Sequence, residues 1–145
     1  MLRWNAICLT SVVLLWTGVV VSGMSQLTRY AYDSGEPGEP MPCWPDAGLL
    51  VADPSRPTLV MFAHPRCPCT RASISELAVL MARAQDKLVA KVAFFRPQGS
   101  DSSWSRTDLW SAASIIPNVQ VVNDEGGNEF RRFGATTSGH VLMFK

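Results

Sequence analysis

The stretch "TLVMFAHPRCPCTRASISEL", residues 58–77, decides how the chain is read. Its first part, Thr58–His64, is a continuous apolar run of strand length, with Pro57 before it and Pro65 after it. Such a run reads as a strand buried on both faces, the kind that parallel sheets use. The second part changes period. Ile74, Leu77, Ala78, Met81 and Leu88 fall on one face at helical spacing and predict an amphipathic helix. Ser73 and Glu76 have the spacing of a capping box, and Thr70 offers a cap one turn earlier. Between strand and helix, Cys67 and Cys69 flank Pro68 at the helix mouth.

The rest of the chain repeats the alternation. "LVAKVAFFR" (88–96) reads as a second strand that stops at Pro97, and "PQGSDSSWS" (97–105) as a polar loop. A helix is expected over Arg106–Ile115, closed by Pro117. "VQVVND" (119–124) reads as a short strand, "DEGGNE" (124–129) as a turn, "EFRRFG" (129–134) as a helical turn and "HVLMFK" (140–145) as a last apolar strand. Strands alternating with helices imply an α/β layer with parallel pairing. There is no internal repeat and no low-complexity tract.

Upstream lies a different solvent. "WNAICLTSVVLLWTGVVVSGMSQL" (4–27) carries no charge between Arg3 and Arg29. A bilayer core needs roughly 20 mostly apolar residues, and this run is long enough. It reads as an uncleaved anchor with Arg3 on the cytoplasmic side, or as a signal peptide with Val21 and Gly23 before the cut. Either way the remainder is expected outside the cytoplasm, on the periplasmic side, and secreted if the segment is cleaved. Cys8, inside the run, behaves as an apolar residue. Residues 30–48 are rich in Pro and Gly without hydrophobic period, so the expected organisation is a signal anchor or peptide over 1–29, a flexible tether over 30–48 and a domain over 49–145. Cys43, in the tether, is either a free surface thiol or a partner for Cys67 or Cys69.

Composition narrows the function classes. The chain has 145 residues and a formal net charge of +1, which suits one ordinary domain plus the apolar segment. Arg131 and Arg132 are the densest basic spot, too little for a nucleic-acid face. No G-x-S-x-G elbow, P-loop or dinucleotide fingerprint is present. The chemistry therefore rests on the cysteine pair. A thiol attacks only as thiolate, and a helix N-terminus supplies unpaired N–H groups that favour that form. Arg66 and Arg71 are expected to add cations, with His64 a third when protonated. Cys67 is read as the nucleophile and Cys69 as the resolving thiol. Pro68 restricts the small ring that a Cys67–Cys69 bond would close, and the strain would either make the pair oxidising or disfavour the bond altogether.

With these residues on the page, a resemblance can be named. A buried strand, a cysteine pair at a helix start and a further β–α unit resemble the thioredoxin fold, in which the first active-site cysteine follows a strand phenylalanine by five residues, as Cys67 follows Phe62. "HPRCPCTRAS" (64–73) together with "RRFGATTSGH" (131–140) resembles the membrane-tethered bacterial RedB-like group. The resemblance implies a thioredoxin-like three-layer α/β sandwich and thiol–disulfide oxidoreductase activity on protein thiols, disulfides or a redox partner protein, without a cofactor. The sequence departs from that family in three places. The motif is C-x-C, with Thr70 where the second cysteine usually stands. The slot of the usual cis-proline that faces the cysteines falls on Gly139, followed by His140. The fold's further strand and closing helix are missing after Lys145, so the domain reads as C-terminally truncated. A second reading is metal binding: Cys67 and Cys69 are soft donors that His140, or else His64, would complete for copper(I) or zinc, as in copper chaperones built on the same fold.

Overall fold

The computed structural model describes residues 2–33 and 41–145, with side chains from Ile7 onward. Residues 34–40, in the expected tether, and the Arg3 side chain lie outside the described residues. The chain divides between residues 35 and 36 into two compact units. The first is a single helix, α1 (Leu2–Tyr32), which from Ile7 to Tyr32 is long and apolar enough to cross a membrane or to serve as a signal segment. Three of its hydroxyls are satisfied locally. Ser11, Thr17 and Thr28 each donate a hydroxyl to the carbonyl four residues earlier, at 3.0, 2.8 and 2.8 Å. Inside lipid, where water cannot serve them, such groups need that kind of partner.

The second unit alternates as the sequence predicts. It runs β1 (Thr58–Ala63), α2 (Pro68–Ala84), β2 (Val89–Arg96), α3 (Asp108–Ser114), β3 (Val119–Glu125), α4 (Asn128–Arg132) and β4 (Val141–Phe144). The strands form one sheet in the order β3-β2-β1-β4. β1 pairs in parallel with β2, placing Phe62 opposite Ala93, and β2 pairs in parallel with β3. β4 runs antiparallel to β1, with Val141 opposite Met61. The reason is where the chain arrives. The backbone N–H of Gly139 donates to the Phe62 carbonyl at 2.7 Å, and that of Phe62 to the His140 carbonyl at 3.0 Å. The last strand thus starts beside the C-terminal end of β1 and must run back along it.

Every residue of β1 is buried, which explains its unbroken apolar run. Alternate side chains serve two cores. Leu59, Met61 and Ala63, with Ala90, Val92 and Phe94, pack against Ile74, Leu77 and Met81 of α2 and Leu109 and Ala113 of α3. Val60, Phe62 and Ala93 pack on the opposite side against Phe133, Ala135 and Leu50. Three layers result, and each buried Phe or Leu contributes about 1.5–3 kcal/mol.

The third layer is thin, and specific polar contacts hold it. α4 has five residues. The Asp124 carboxylate accepts the backbone N–H of Glu129 at 2.8 Å and of Phe130 at 2.9 Å, satisfying donors that the short helix leaves open. Glu129, itself buried, accepts from Leu50 N–H at 3.3 Å and pairs with Arg132 Nε at 3.3 Å. Packing reaches upstream to Trp44, whose ring lies 5.2 Å from Phe133 and 5.0 Å from Phe144.

The start of α2 differs from the capping expectation. The helix begins at Pro68, with Cys67 in the N-cap position and no side-chain cap. Proline at the first helical position fits, since its missing N–H would have had no partner there. Ser73 is already inside the helix, where its hydroxyl donates to the Cys69 carbonyl at 3.3 Å. Leu88 lies past the end of α2, beyond a 3-10 turn over Gln85–Lys87, and is buried all the same.

Candidate active site

β1 ends at Ala63, and one tight turn delivers Cys67 to the mouth of α2, where its N–H donates to the His64 carbonyl at 3.1 Å. Cys67 keeps extended backbone angles, φ −85° and ψ 126°, as an N-cap residue does. It is partly buried, while Cys69, in the first turn of the helix, is exposed, and both are free thiols.

The environment pulls the two thiols apart. Burial pushes the Cys67 thiol up, but hydrogen bonds outweigh it and hold it below the ordinary thiol range. These come from the Cys69 thiol, the backbone N–H groups of Cys69 and Thr70, and the Ser138 hydroxyl. The Cys69 thiol is pushed up, first by its hydrogen bond to Cys67, then by the Cys67 charge and by burial. Of the two thiols, Cys67 is therefore the more readily ionised and Cys69 the less.

The expected cations are employed elsewhere. Arg71 is ion-paired with Asp108 across the gap to α3. The Arg66 guanidinium lies 4.7 Å from the centroid of Trp104. His64 stacks on Phe95 at 5.8 Å, meets Trp104 edge-on, and accepts the Arg66 N–H on Nδ1 at 3.3 Å. None of the three is among the groups that hold the Cys67 thiol down, which are hydrogen-bond donors of the helix mouth and the facing loop.

Gly139 does face α2. A Cβ built on it would stand 3.1 Å from Ser73 Oγ, and its φ is +91°. The His140 ring turns back on its own loop, with Nδ1 3.4 Å from the Thr136 N–H. Among the described residues no three of His, Cys, Asp and Glu are grouped to hold a metal, so Cys67, Cys69 and His140 are not assembled as a ligand set.

The residue that sequence reasoning missed is Ser138. Its oxygen accepts the His64 N–H at 2.9 Å and lies 3.1 Å from Thr70 Oγ1, and its hydroxyl is among the groups that pull the Cys67 thiol down. Thr70, buried in the helix start, donates to the His64 carbonyl at 3.0 Å. The available signal was position: Ser138 directly precedes the residue read as facing the cysteines. Beside Ser138 and His64 opens a mainly apolar cavity of about 380 Å³, walled by Phe62, Phe95 and Phe130. Cys43 is exposed and unpaired with either site cysteine.

No protein-family model matches the chain, and no curated protein matches it. Solved structures do. Mycobacterium tuberculosis DsbF, in its mixed oxidised and reduced forms, matches with a TM-score of 0.51 at 13% identity over 63% of this chain and 63% of its own. A secreted Mycobacterium tuberculosis disulfide oxidoreductase homologous to Escherichia coli DsbE matches with a TM-score of 0.49 at 18% identity, again over 63% of each chain. The match thus spans just under two thirds of each mycobacterial protein. At such identity the likeness establishes the fold, which is thioredoxin-like.

Proposed function

We propose that this chain is a membrane-tethered thiol–disulfide oxidoreductase working outside the cytoplasm, with Cys67 as the attacking thiol and Cys69 as the resolving one. The observation that carries the reading is the placement of two free thiols two residues apart at the mouth of α2, Cys67 in the N-cap position and Cys69 in the first turn, with Cys67 held down and Cys69 pushed up. The Cys67 thiolate attacks one sulfur of a protein disulfide. A mixed disulfide forms at Cys67 and the first substrate thiolate leaves. Cys69 gives up its proton to solvent or to that leaving thiolate and attacks Cys67 Sγ. The second substrate thiolate departs, and the pair is left as a Cys67–Cys69 disulfide. Two electrons have passed to the substrate, and the reverse sequence returns them. The apolar cavity beside Ser138 and His64 suits apolar side chains flanking a substrate cystine. The apolar α1, a candidate anchor or signal segment, and the compartments where disulfide exchange persists support the extracytoplasmic setting.

The test is trapping. A Cys69→Ser form of the full chain, offered a protein disulfide, should accumulate a mixed disulfide at Cys67, and a Cys67→Ser form should accumulate none. Equal trapping by both forms, or by neither, would reject the assignment. A compartment-sensitive reporter fused at Lys145 checks the side of the membrane.

A further inference from the structure

The geometry points to the aromatic cavity beside the cysteine turn as a subsite for a large apolar side chain followed, farther from the cysteines, by a carboxylate. The preferred substrate is then a disulfide whose flanking residues are apolar and acidic in that order. The inference rests on the redox reading above and adds to it a specificity-determining residue, Arg131.

The makeup of the cavity leads there. Its volume of about 380 Å³ is that of roughly a dozen waters, and Phe62, Phe95 and Phe130 wall it. Such a space receives one large apolar side chain. An aspartate and an arginine also line it. Asp124 is buried, and its two oxygens are taken by the N–H groups of Glu129 and Phe130, so it has little left to offer a ligand. Arg131 is exposed. Its Nη1 donates to the Gly126 carbonyl and its Nη2 to Asn128 Oδ1, both at 2.8 Å. Both acceptors are neutral, and among the described residues no carboxylate is ion-paired with it. Arg96 and Arg132, which line the adjoining surface hollow with it, are paired, with Glu125 at 2.9 Å and Glu129 at 3.3 Å. The Arg131 guanidinium is thus held in place without being neutralised, and it keeps N–H donors to spare.

The order of the lining sets the order of the ligand. His64 begins the turn that carries Cys67, and its ring stacks on Phe95 at 5.8 Å. Gly127, at φ +71°, joins Phe95 to Arg131: a Cβ built on it would stand 3.5 Å from the Phe95 ring and 3.5 Å from Arg131 Nη1. From the cysteine turn outward the lining therefore runs imidazole, phenyl ring, guanidinium. A peptide whose cystine lies at Cys67 lays its next large apolar side chain over Phe95 and brings an acidic one to Arg131. Burial of the apolar side chain supplies most of the affinity. The rim cation supplies the choice, since it draws a carboxylate and repels an ammonium group. No bond is made or broken at this subsite, which acts only on which disulfide is presented to Cys67.

The experiment uses the full chain in uncharged detergent micelles and in a Cys69→Ser background. Mixed disulfides at Cys67 are counted by peptide mass spectrometry, so that Cys8 and Cys43 do not contribute. The probes are disulfide-linked dimers of Glu-Phe-Cys-Phe-Glu, Lys-Phe-Cys-Phe-Lys and Glu-Ala-Cys-Ala-Glu, whose symmetric flanks suit either chain direction. Each rate is divided by that of a small free thiol with the same peptide, which cancels intrinsic reactivity. The Glu-Phe peptide should be trapped roughly two- to fivefold faster than the Lys-Phe peptide, the size of one exposed charge pair. It should be trapped roughly tenfold faster than the Glu-Ala peptide. In Arg131→Glu the choice between Glu and Lys should reverse while the choice of Phe over Ala stays. Thr137→Trp, which fills the cavity from its lining, should weaken the choice of Phe over Ala. Both residues are exposed, so neither change enters the core. An unchanged Glu-to-Lys ratio in Arg131→Glu, an unchanged Phe-to-Ala ratio in Thr137→Trp, or equal trapping of all three peptides by the parent chain would overturn the proposal. If the parent chain traps no peptide, the redox reading fails, and calorimetry with the same peptides carrying serine for cysteine decides the subsite. Binding with the same ranking and the same reversal in Arg131→Glu upholds it, and any other result overturns it.

Discussion

Two loops meet at the C-terminal end of β1, and their contrast explains the site. The segment of residues 64–70, the turn after β1 and the first residues of α2, holds both site cysteines. The loop of residues 134–140 holds none, yet it supplies the Ser138 hydroxyl, the Gly139 N–H and the His140 carbonyl that bind the end of β1 and the start of α2. Under the proposed function the first segment carries the chemistry and the second faces it. The groups that lower the Cys67 thiol are hydrogen-bond donors rather than nearby formal charges. The arginines around the cysteines are paired with Asp108 or laid on Trp104, while backbone N–H groups and a serine act on the thiol.

The largest effect expected from disturbing this division comes from the second loop. Gly139 stands where the resembling family carries proline. Here its φ is +91°, and its N–H donates to the Phe62 carbonyl at 2.7 Å. Proline fixes φ near −65° and has no N–H, so Gly139→Pro must lose both features. Losing the bond costs about 1 kcal/mol and the backbone mismatch roughly 1–3 kcal/mol more. Gly139→Ala keeps the N–H and suffers only the left-handed backbone and a contact with the yielding Ser73 hydroxyl, about 1–2 kcal/mol. Urea unfolding of the full chain should rank the wild type above Gly139→Ala and that above Gly139→Pro. A proline variant as stable as the wild type would show that the second loop accepts the family's ordinary conformation, and the contrast between the loops would lose its basis.

The next effect lies within the first loop and is read by pH. Cys69 is raised mainly by its hydrogen bond to Cys67 and by the Cys67 charge, so in Cys67→Ala its alkylation midpoint should fall back toward that of a free thiol. Cys67 is held down in part by the Cys69 thiol, against the upward pull of its burial, so in Cys69→Ala its midpoint should rise. The sign for stability follows. A thiol depressed in the folded chain adds stability that is present above its unfolded pKa and is lost as the pH falls through the folded value. Midpoints that ignore the partner's removal would mean that the two thiols titrate independently, and the assignment of attacker and resolver would lose its physical support.

The same contrast marks what the sequence makes legible. β1 and α2 are visible because burial on both faces leaves an unbroken apolar run, and a helix packed on one face leaves a 3.6-residue period. The cysteine pair is visible because its residue type is rare and its spacing short. Ser138 is not, since its function depends on β4 starting beside the end of β1, a contact between residues 74 positions apart that no local pattern encodes. The capping expectation fails for a related reason: Pro68 at the first helical position starts α2 ahead of the Ser73–Glu76 box, and backbone geometry overrides a plausible side-chain signal. Charge misleads most. Arg66 and Arg71 adjoin the cysteines in the chain, but Trp104 and Asp108, brought in from the segment around α3, hold them in space.

The smallest expected effect therefore gives the closest test of the reading. The Arg71–Asp108 pair is exposed, with 66% of each side chain accessible, and such pairs contribute little to stability. Its carboxylate is lowered chiefly by the hydrogen bond from Arg71, so the cation's nearest partner is Asp108 and not a thiol. Arg71→Ala should leave the Cys67 alkylation midpoint within measurement of the wild type. Asp108→Asn should do slightly more, because it releases a cation near the helix mouth. The midpoint should then fall by a small amount that disappears at high ionic strength, as an exposed interaction screened over a Debye length must. Both measurements use the Cys69→Ala background, where one site thiol reports. If Arg71→Ala raises the Cys67 midpoint as far as Ser138→Ala does, the site is governed by formal charge, and the facing loop would be a support rather than a participant. If Arg71→Ala is silent while Ser138→Ala is not, directed hydrogen bonds across the end of β1 govern the thiol.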